Sequence, residues 1–399
     1  MTRGVAANSA LIVVAQSTQA IAVGAISLFL PLIREDLGIS FAEAGLLAAA
    51  TTLTYALMQI PAGVLADRVS LKRLFAVGIL GTNALSILFA LSGAFLPMLA
   101  IQAGTGVFRA LMFVPGLMLI TRHFSEARRA TAMGLFVAGG FSSNVVVNLV
   151  GPLLVGPLGW DGVIVLSSSL GLVVLVAFWL LADEPPSRHP ASADPRSARW
   201  VWRTAAWWLL GLVQFARLAL VAGFGFWLPS YLIVDRGLSL EAAGLIVALS
   251  AAITAPSNIL GGIISDRLGR PLGVIGLSLG VMSVLFLLLN AADAVALVIV
   301  VVALIGVFIQ LYFGPIFAVA TRFFGRSVAG LSSGFGNFCA NVGGFASALA
   351  LGVLKDLTGS FSAGFFFLAG VAFVGFLALL VLARMPARGD VGAAQSPAR

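Results

Sequence analysis

Two arginines stand where an arginine has no ordinary reason to be. Arg109 is twelve residues from Pro97 and twelve from Thr121 within one apolar run, and Arg217 is twelve from Ala205 and twelve from Pro229 within another. In a helix rising 1.5 Å per residue, each lies about 18 Å from either end. A guanidinium is a permanent cation whose planar fork of donors matches the two oxygens of a carboxylate. At the centre of a bilayer it costs about 2.5–3.5 kcal/mol even on the lenient insertion scale. The side chain is far too short to snorkel to an interface. No counter-ion is built in, because all 15 Asp and Glu fall in, or within a turn of, loops and tails. Both cations are therefore expected to face a wet cavity and await an anion. Closing that cavity over an anion would neutralise otherwise unpaired charge, giving the ligand a differential affinity for the closed state.

Neutral polar residues extend the candidate site. Gln16 and Gln19 match Gln214 and Arg217 at an offset of 198, a polar stripe at i, i+3 in both runs. Gln310 and Tyr312 lie in the tenth run, and Asn144–Asn148 and Asn337–Asn341 are i, i+4 pairs in the fifth and eleventh. The expected ligand contacts are thus Arg109, Arg217, Gln16, Gln19, Gln214, Gln310, Asn144, Asn337, Asn341 and Tyr312. Asn and Gln also act as interhelical glue worth ~0.6 kcal/mol each, and tyrosines such as Tyr55 and Tyr312 pack, so both roles stand open for the neutral groups.

Other chemistries find no residues to carry them. The two histidines, His123 and His189, are too few and too far apart for a metal cluster, and a single Cys339 excludes a disulfide framework. His123 sits with Ser125 and Glu126 in a basic connector. No nucleotide-binding loop of the Walker type occurs. The chain is expected to be no enzyme and to need no cofactor or metal.

The elements that must hold these residues follow from composition. Hydrophobic residues make up 60% of the 399 and charged ones only 10%, with mean hydropathy +1.09. A soluble domain carries roughly 25% charged residues, so water is not this chain's solvent. The net charge of +8 falls in short clusters between apolar runs, which argues against nucleic acid as a partner and for a lipid bilayer. About 20 apolar residues cross a hydrocarbon core as a helix. Twelve such runs occur: 9–31, 44–63, 74–93, 97–121, 131–153, 162–182, 205–230, 242–260, 272–290, 294–320, 328–351 and 361–383. Continuous runs such as Val163–Ala182 do not alternate as barrel strands must. The predicted fold class is an all-α integral membrane protein with twelve transmembrane helices.

Of the 23 Lys and Arg, 18 fall on the side of the N-terminus, three (Arg34, Arg236, Lys355) on the other, and two lie inside spans. The positive-inside bias places both termini in the cytoplasm of a multi-pass protein of the cell (inner) membrane. Residues 183–203, rich in Pro and charge, read as a cytoplasmic linker between an N-terminal six-helix half (1–182) and a C-terminal half (204–383), with 384–399 a disordered cytoplasmic tail. Trp200, Trp202, Trp207 and Trp208 stand where an aromatic belt would mark entry into the seventh helix.

The halves repeat. Residues 29–47 and 227–246 share Leu-Pro, a short charged loop and an Ala-Gly-Leu helix start; GVFRALMFVP (106–115) aligns with GVFIQLYFGP (306–315), and ITRHF (120–124) with ATRFF (320–324). Pro115 and Pro315 are expected to bend helices 4 and 10 at matching positions. Glycines at 330, 334, 336, 343 and 344, and at 134, 139 and 140, suit close packing of helices 11 and 5. A half-length repeat is a fold-level signal, and parallel six-helix halves are how one class of secondary transporters is built.

On these residues the chain resembles the major facilitator superfamily over essentially its whole length. The most specific mark is the loop between helices 2 and 3, with Gly63, Asp67, Arg68, Lys72 and Arg73 in the family pattern; Ser70 and Leu71 replace the usual Gly and Arg. The copy after helix 8 keeps Gly262, Asp266, Arg267, Gly269 and Arg270. The resemblance implies two pseudo-symmetric halves, a central cavity lined by helices 1, 4, 7 and 10, and a cytoplasmic gate at Asp67, Arg68, Arg73, Asp266, Arg267 and Arg270. The family's frequent helix-4 arginine falls at Gln102, two turns before Arg109 and on the same face. FVPGLMLITRHF and FWLPSYLIVDRGLS are loosely similar to stretches of monocarboxylate, oxalate–formate and nitrate or cyanate carriers. The expected function is secondary active transport of a small organic anion, such as a carboxylate, by a monomer through alternating access. The alternative is an exporter of amphipathic drugs or metabolites, which would tolerate loss of the arginines.

Overall fold

The computed structural model describes residues 3–124, 129–184, 201–324 and 329–386. The described residues form twelve helices and no strand, one helix for each apolar run. They are α1 Arg3–Leu37, α2 Phe41–Arg68, α3 Leu71–Ala90 and α4 Phe95–Arg122, then one stretch, Arg129–Leu181, that is two helices, α5 and α6, meeting at Gly159. Gly159 has φ 73°, a conformation that only glycine adopts without strain, and the helix axis breaks there. Next come α7 Ala205–Ser230, closing in a wide π turn Tyr231–Asp235, then α8 Leu240–Leu268 and α9 Pro271–Ala291. Helix α10 is in two pieces, Val295–Phe308 and Phe313–Phe324, followed by α11 Ala329–Thr358 and α12 Ser362–Ala383. Counting α5–α6 as one stretch, eleven stretches of the described chain are long and apolar enough to cross a membrane.

Helix α2 outruns its apolar segment where polar residues cap it. Ser40 and Glu43 form a reciprocal capping box at the start of α2: the serine hydroxyl accepts from Glu43 N at 3.1 Å and the glutamate carboxylate accepts from Ser40 N at 2.8 Å. Hydropathy registers the apolar run, not the cap, so α2 starts three residues earlier than its run.

Contacts group the described helices into two units. The first holds α1–α6 together with Gly225–Ala252 and Ala348–Ser360; the second holds the start of α7, Ile253–Ser347 and α12. In the first unit Phe75, Ile79, Met112, Phe136 and Phe178 form a buried core, with Phe75 and Phe178 edge to face at 5.1 Å. Leu57, Ile60, Leu153 and Leu180 are exposed, an apolar exterior suited to lipid rather than water. In the second unit the expected tryptophan belt divides. Trp202 and Trp208 are exposed, but Trp207 is buried and stacked on Phe335 at 4.7 Å; Trp200 lies outside the described residues.

The matched prolines do not act alike. Helix α4 runs unbroken through Pro115, whereas α10 is interrupted just before Pro315. Pro315 lacks an N–H and its ring excludes the carbonyl four residues earlier, that of Leu311. In the second unit Gly261 of α8 gives that carbonyl somewhere to go: a Cβ on Gly261 would lie 1.6 Å from Leu311 O. Close packing against Gly261 thus accommodates the displaced carbonyl, whereas the matching contact of Gly78 with the Leu111 carbonyl carbon leaves α4 unbroken.

Adjacent glycines make this testable. Gly261→Ala should destabilise the protein by about 1–3 kcal/mol in detergent unfolding, as overpacked sites do. Gly262→Ala, which meets nothing within 4 Å, should be neutral. Equal behaviour of the two variants would refute this packing account of the break.

Candidate functional site

The first unit presents Arg109 from α4. Its Nε donates to Gln19 Oε1 on α1 at 3.2 Å, and its guanidinium lies 5.3 Å from the centre of the Tyr55 ring on α2. The second unit presents Arg217 from α7 in a similar way. Its Nε donates to Gln214 Oε1, one turn back on the same helix, at 2.8 Å, and its guanidinium lies 5.2 Å from the Phe313 ring of α10. Arg217 is 6% exposed and Arg109 is partly exposed.

The chemistry of this grip matters. A hydrogen bond from a charged donor contributes roughly 1.5–3 kcal/mol, and a cation over an aromatic face roughly 0.5–2 kcal/mol. Together these are comparable to the ~2.5–3.5 kcal/mol needed to place the arginine at mid-membrane. Each side chain is therefore held without a carboxylate, and no acidic residue pairs with either among the described residues. Both grips use Nε and the ring plane, leaving the Nη groups without a protein partner among the described residues. Those groups form the end of the guanidinium that clamps a carboxylate or another oxyanion in two-point fashion.

The other candidates sort by what they touch. Gln19 and Gln214 orient the guanidinium groups. Gln16, Gln310 and Tyr312 are buried, and Gln16 Oε1, Gln310 Oε1 and the Tyr312 hydroxyl find no hydrogen-bond partner among the described residues. The asparagine pairs turn back onto their own helices. Asn144 donates to Gly140 O at 3.3 Å, Asn148 to Asn144 O at 2.7 Å, and Asn341 to Asn337 O at 2.8 Å. Gln102 is a strut, its side chain accepting from Thr51 of α2 at 2.9 Å. Arg109 stacks on Tyr55, one turn along α2 from Thr51, so Gln102 and Arg109 do share a face.

The loop charges Asp67, Arg68, Arg73, Asp266, Arg267 and Arg270 are all exposed. The two departures from the family pattern beside them are occupied. The Ser70 hydroxyl donates to the Glu184 carboxylate, which also accepts from Leu71 N at 2.7 Å, and Lys72 donates to Ala182 O at 2.6 Å. Asp183 N donates to Asn8 Oδ1 at 2.9 Å. The start of the linker is thereby stitched to α1 and α3. Nearby His123 is half-buried, and burial lowers its pKa more strongly than the hydrogen bond to the Asp183 backbone and the Asp183 charge raise it, favouring a neutral imidazole.

A second polar group escaped the sequence reading, which treated Lys355 only as a loop charge. In the first unit Lys355 of α11 is 5% exposed, bonded to Asp235, donating to Gly359 O at 2.7 Å and lying 5.4 Å from the Phe41 ring. The next residue, Asp356, caps α2, accepting from Phe41 N at 3.0 Å and Ala42 N at 2.6 Å. Trp227 Nε1 donates to Ala348 O at 2.9 Å beneath this cluster. Around it the turn at the start of α2, the end of α7 and the end of α11 are tied by charge and hydrogen bonds. Asp-Arg and Lys-Asp at helix ends gave no periodic signal by which to find it.

Comparison with known proteins accords with this architecture. A family model described as Major Facilitator Superfamily matches residues 12–348. The chain is 28% identical to a "probable sulfoacetate transporter" of Cupriavidus necator, over 90% of this chain and 89% of that one. It is 25% identical to a D-galactonate transporter of Escherichia coli O6:H1, over 88% and 89%, and 24% identical to a hexuronate transporter of Bacillus subtilis, over 90% of each. A crystal structure of a bacterial homologue of the human lysosomal transporter Spinster, inward-facing and unoccupied, superposes with a TM-score of 0.77 over 96% of both chains at 17% identity, which speaks to fold.

The buried pair gives the prediction of this section. Removing one partner of a buried ion pair strands the other, so Lys355→Met should cost about 3–5 kcal/mol in detergent unfolding. Lys355→Met combined with Asp235→Leu should recover most of that loss; an additive double variant would show that the two charges do not depend on each other.

Proposed function

Because this chain belongs to the major facilitator superfamily, we propose that it is a secondary transporter that carries a small organic anion, bearing a carboxylate, across the inner membrane by alternating access. The observation that carries this reading is the state of the two arginines. Each is fixed through Nε and its ring partner, keeps its Nη groups unclaimed, and has no acidic partner among the described residues. The cargo named for each of the relatives described above is an anion, which supports the same chemistry.

The mechanism follows from electrostatics. Without cargo each guanidinium is a bare cation, and withdrawing it from water is unfavourable. An oxyanion received on the Nη groups neutralises that charge, and the bond strengthens as water leaves. Cargo therefore favours the closed state over the open one, the differential affinity that alternating access requires. With no carboxylate at mid-membrane among the described residues to take up a proton, entry of a proton on the cargo itself, exchange or uniport are the modes this site supports. The Lys/Arg bias supports a cytoplasmic position for both termini. On the cytoplasmic face we assign the exposed charges Asp67, Arg68, Arg73, Asp266, Arg267 and Arg270 to the gate.

Proteoliposome uptake of labelled lactate, tartrate and gluconate tests the reading. Arg109→Ala and Arg217→Ala should each lower uptake of the transported acid by about 100-fold, the effect of removing one member of a desolvated charge pair. Arg→Lys at either position keeps the charge but loses the fork, and should restore only part. Full uptake in both alanine variants would sink the proposal.

A further inference from the structure

The first unit is not simply the first half of the chain. Gly225–Ala252 and Ala348–Ser360, from beyond the linker, group with α1–α6. Much of what joins them is concentrated at the start of α2. The first four amides of a helix have no carbonyl within it to bond. Ser40 and Glu43 satisfy each other's, but Phe41 N and Ala42 N donate to the two carboxylate oxygens of Asp356, 315 and 314 positions away near the end of α11. The backbones beside this cap are in contact. A Cβ on Gly352 of α11 would lie 2.3 Å from Phe41 O, and one on Gly45 of α2 would lie 2.6 Å from Ala348 O. Small residues are what let two helices approach this closely. The same unit is joined elsewhere by Ser27 of α1, which donates to Phe226 O of α7 at 2.7 Å. A Cβ on Gly244 of α8 would likewise lie 2.4 Å from Asn148 O of α5.

All three basic residues that the sequence places on the side away from the termini are engaged in this unit. Arg34 lies 3.3 Å from the centre of the Phe41 ring and is an electrostatic neighbour of Asp356. Lys355 lies 5.4 Å from the same ring and pairs with Asp235, and Arg236 donates to the Tyr231 hydroxyl at 2.7 Å. Lys355 and Asp235 both follow the linker, so their pair ties α11 to α7 within one half of the chain and aims the next residue, Asp356, at the other half. The Asp356 bonds are exposed, so water can take the place of the carboxylate. Loss of such a cap shifts an equilibrium by about tenfold. That moves a two-state population without melting α2, which keeps its own capping box. We propose that Asp356 is a reversible latch between the two halves of the chain. It closes the face opposite the termini while it caps α2, and that face opens when water replaces it. Gly45 and Gly352 form the seam the latch closes, and Lys355 is its positioning residue. The latch rests on the alternating-access reading and is independent of the cargo.

Distances between two spin labels test this on the purified full chain in lipid. Glu35 near the end of α1 and Leu357 near the end of α11 are exposed; each is replaced by Cys in a Cys339→Ala background. Double electron–electron resonance then reads how often the two ends are together or apart. Asp356→Ala should raise the ratio of apart to together by about tenfold. Asp356→Asn keeps an acceptor without the charge and should raise it less. Gly352→Ala wedges the backbones by sterics alone and should move the ratio in the same direction. A purely structural role would lower the unfolding temperature without populating a second distance, and that result overturns the latch. Two distances whose proportions Asp356→Ala leaves alone overturn the latch, whatever Gly352→Ala does, and leave alternating access intact. One unmoving distance in the wild type and every variant overturns both.

Discussion

The constraint on which the rest of this structure depends is the placement of a permanent cation in a solvent that cannot solvate it. Carboxylates are the usual remedy, and the described helices offer none at that depth. Glutamine carbonyls and aromatic rings take their place: Gln19 with Tyr55 in the first unit, Gln214 with Phe313 in the second. A neutral grip of this kind orients the guanidinium without consuming its charge. A carboxylate in the same place would have held the side chain equally well and left nothing for cargo to neutralise.

Charge that is compensated internally is kept to helix ends. Lys355 with Asp235, Asp356 on the start of α2, and Glu184 on the start of α3 all use a carboxylate to satisfy a buried cation or the orphan amides of a helix terminus. Such bonds are strong where water is scarce, yet near the surface a modest rearrangement can replace them with water. That division suits a superfamily whose members must open and close: ends that exchange partners, and a middle whose unpaired charge waits for a ligand. The interruption of α10 fits the same logic, since it brings unsatisfied polar atoms to a helix whose ladder is interrupted.

Much of this was legible in advance. Twelve apolar runs gave twelve helices, because in lipid a spanning segment must satisfy its backbone internally and a helix of about 20 residues is the economical way to do so. Arg109 and Arg217 stood out for the same reason, as charges whose burial demands an explanation. What the runs concealed were interruptions and caps. The break in the tenth helix lies inside a single apolar run, and Ser40 and Glu43 extend α2 past its apolar edge, whereas Gly159 and the π turn Tyr231–Asp235 fall between runs. The matched prolines looked equivalent, and both have a glycine of another helix beside the carbonyl four residues earlier, Gly78 at Leu111 and Gly261 at Leu311, yet only α10 is interrupted.

The sequence by itself determined the solvent, the number of spans, the internal repeat and the presence of unbalanced cations, since each depends on residue type and spacing along one chain. Tertiary structure alone decided who holds those cations. That Arg109 takes its partner from α1, that the ring over Arg217 comes from α10, that Lys355 is an internal pair rather than a loop charge, and that Gln310 and Tyr312 are left wanting while Gln102 is not, all depend on which side chains meet across helices; only the Gln214 that holds Arg217, three residues away on its own helix, was within reach of the sequence. Hydrogen bonds and ring contacts act over a few ångströms in space. Residues 90 or 120 positions apart, as Arg109 and Gln19 or Lys355 and Asp235 are, carry no mark in the chain that they will come together.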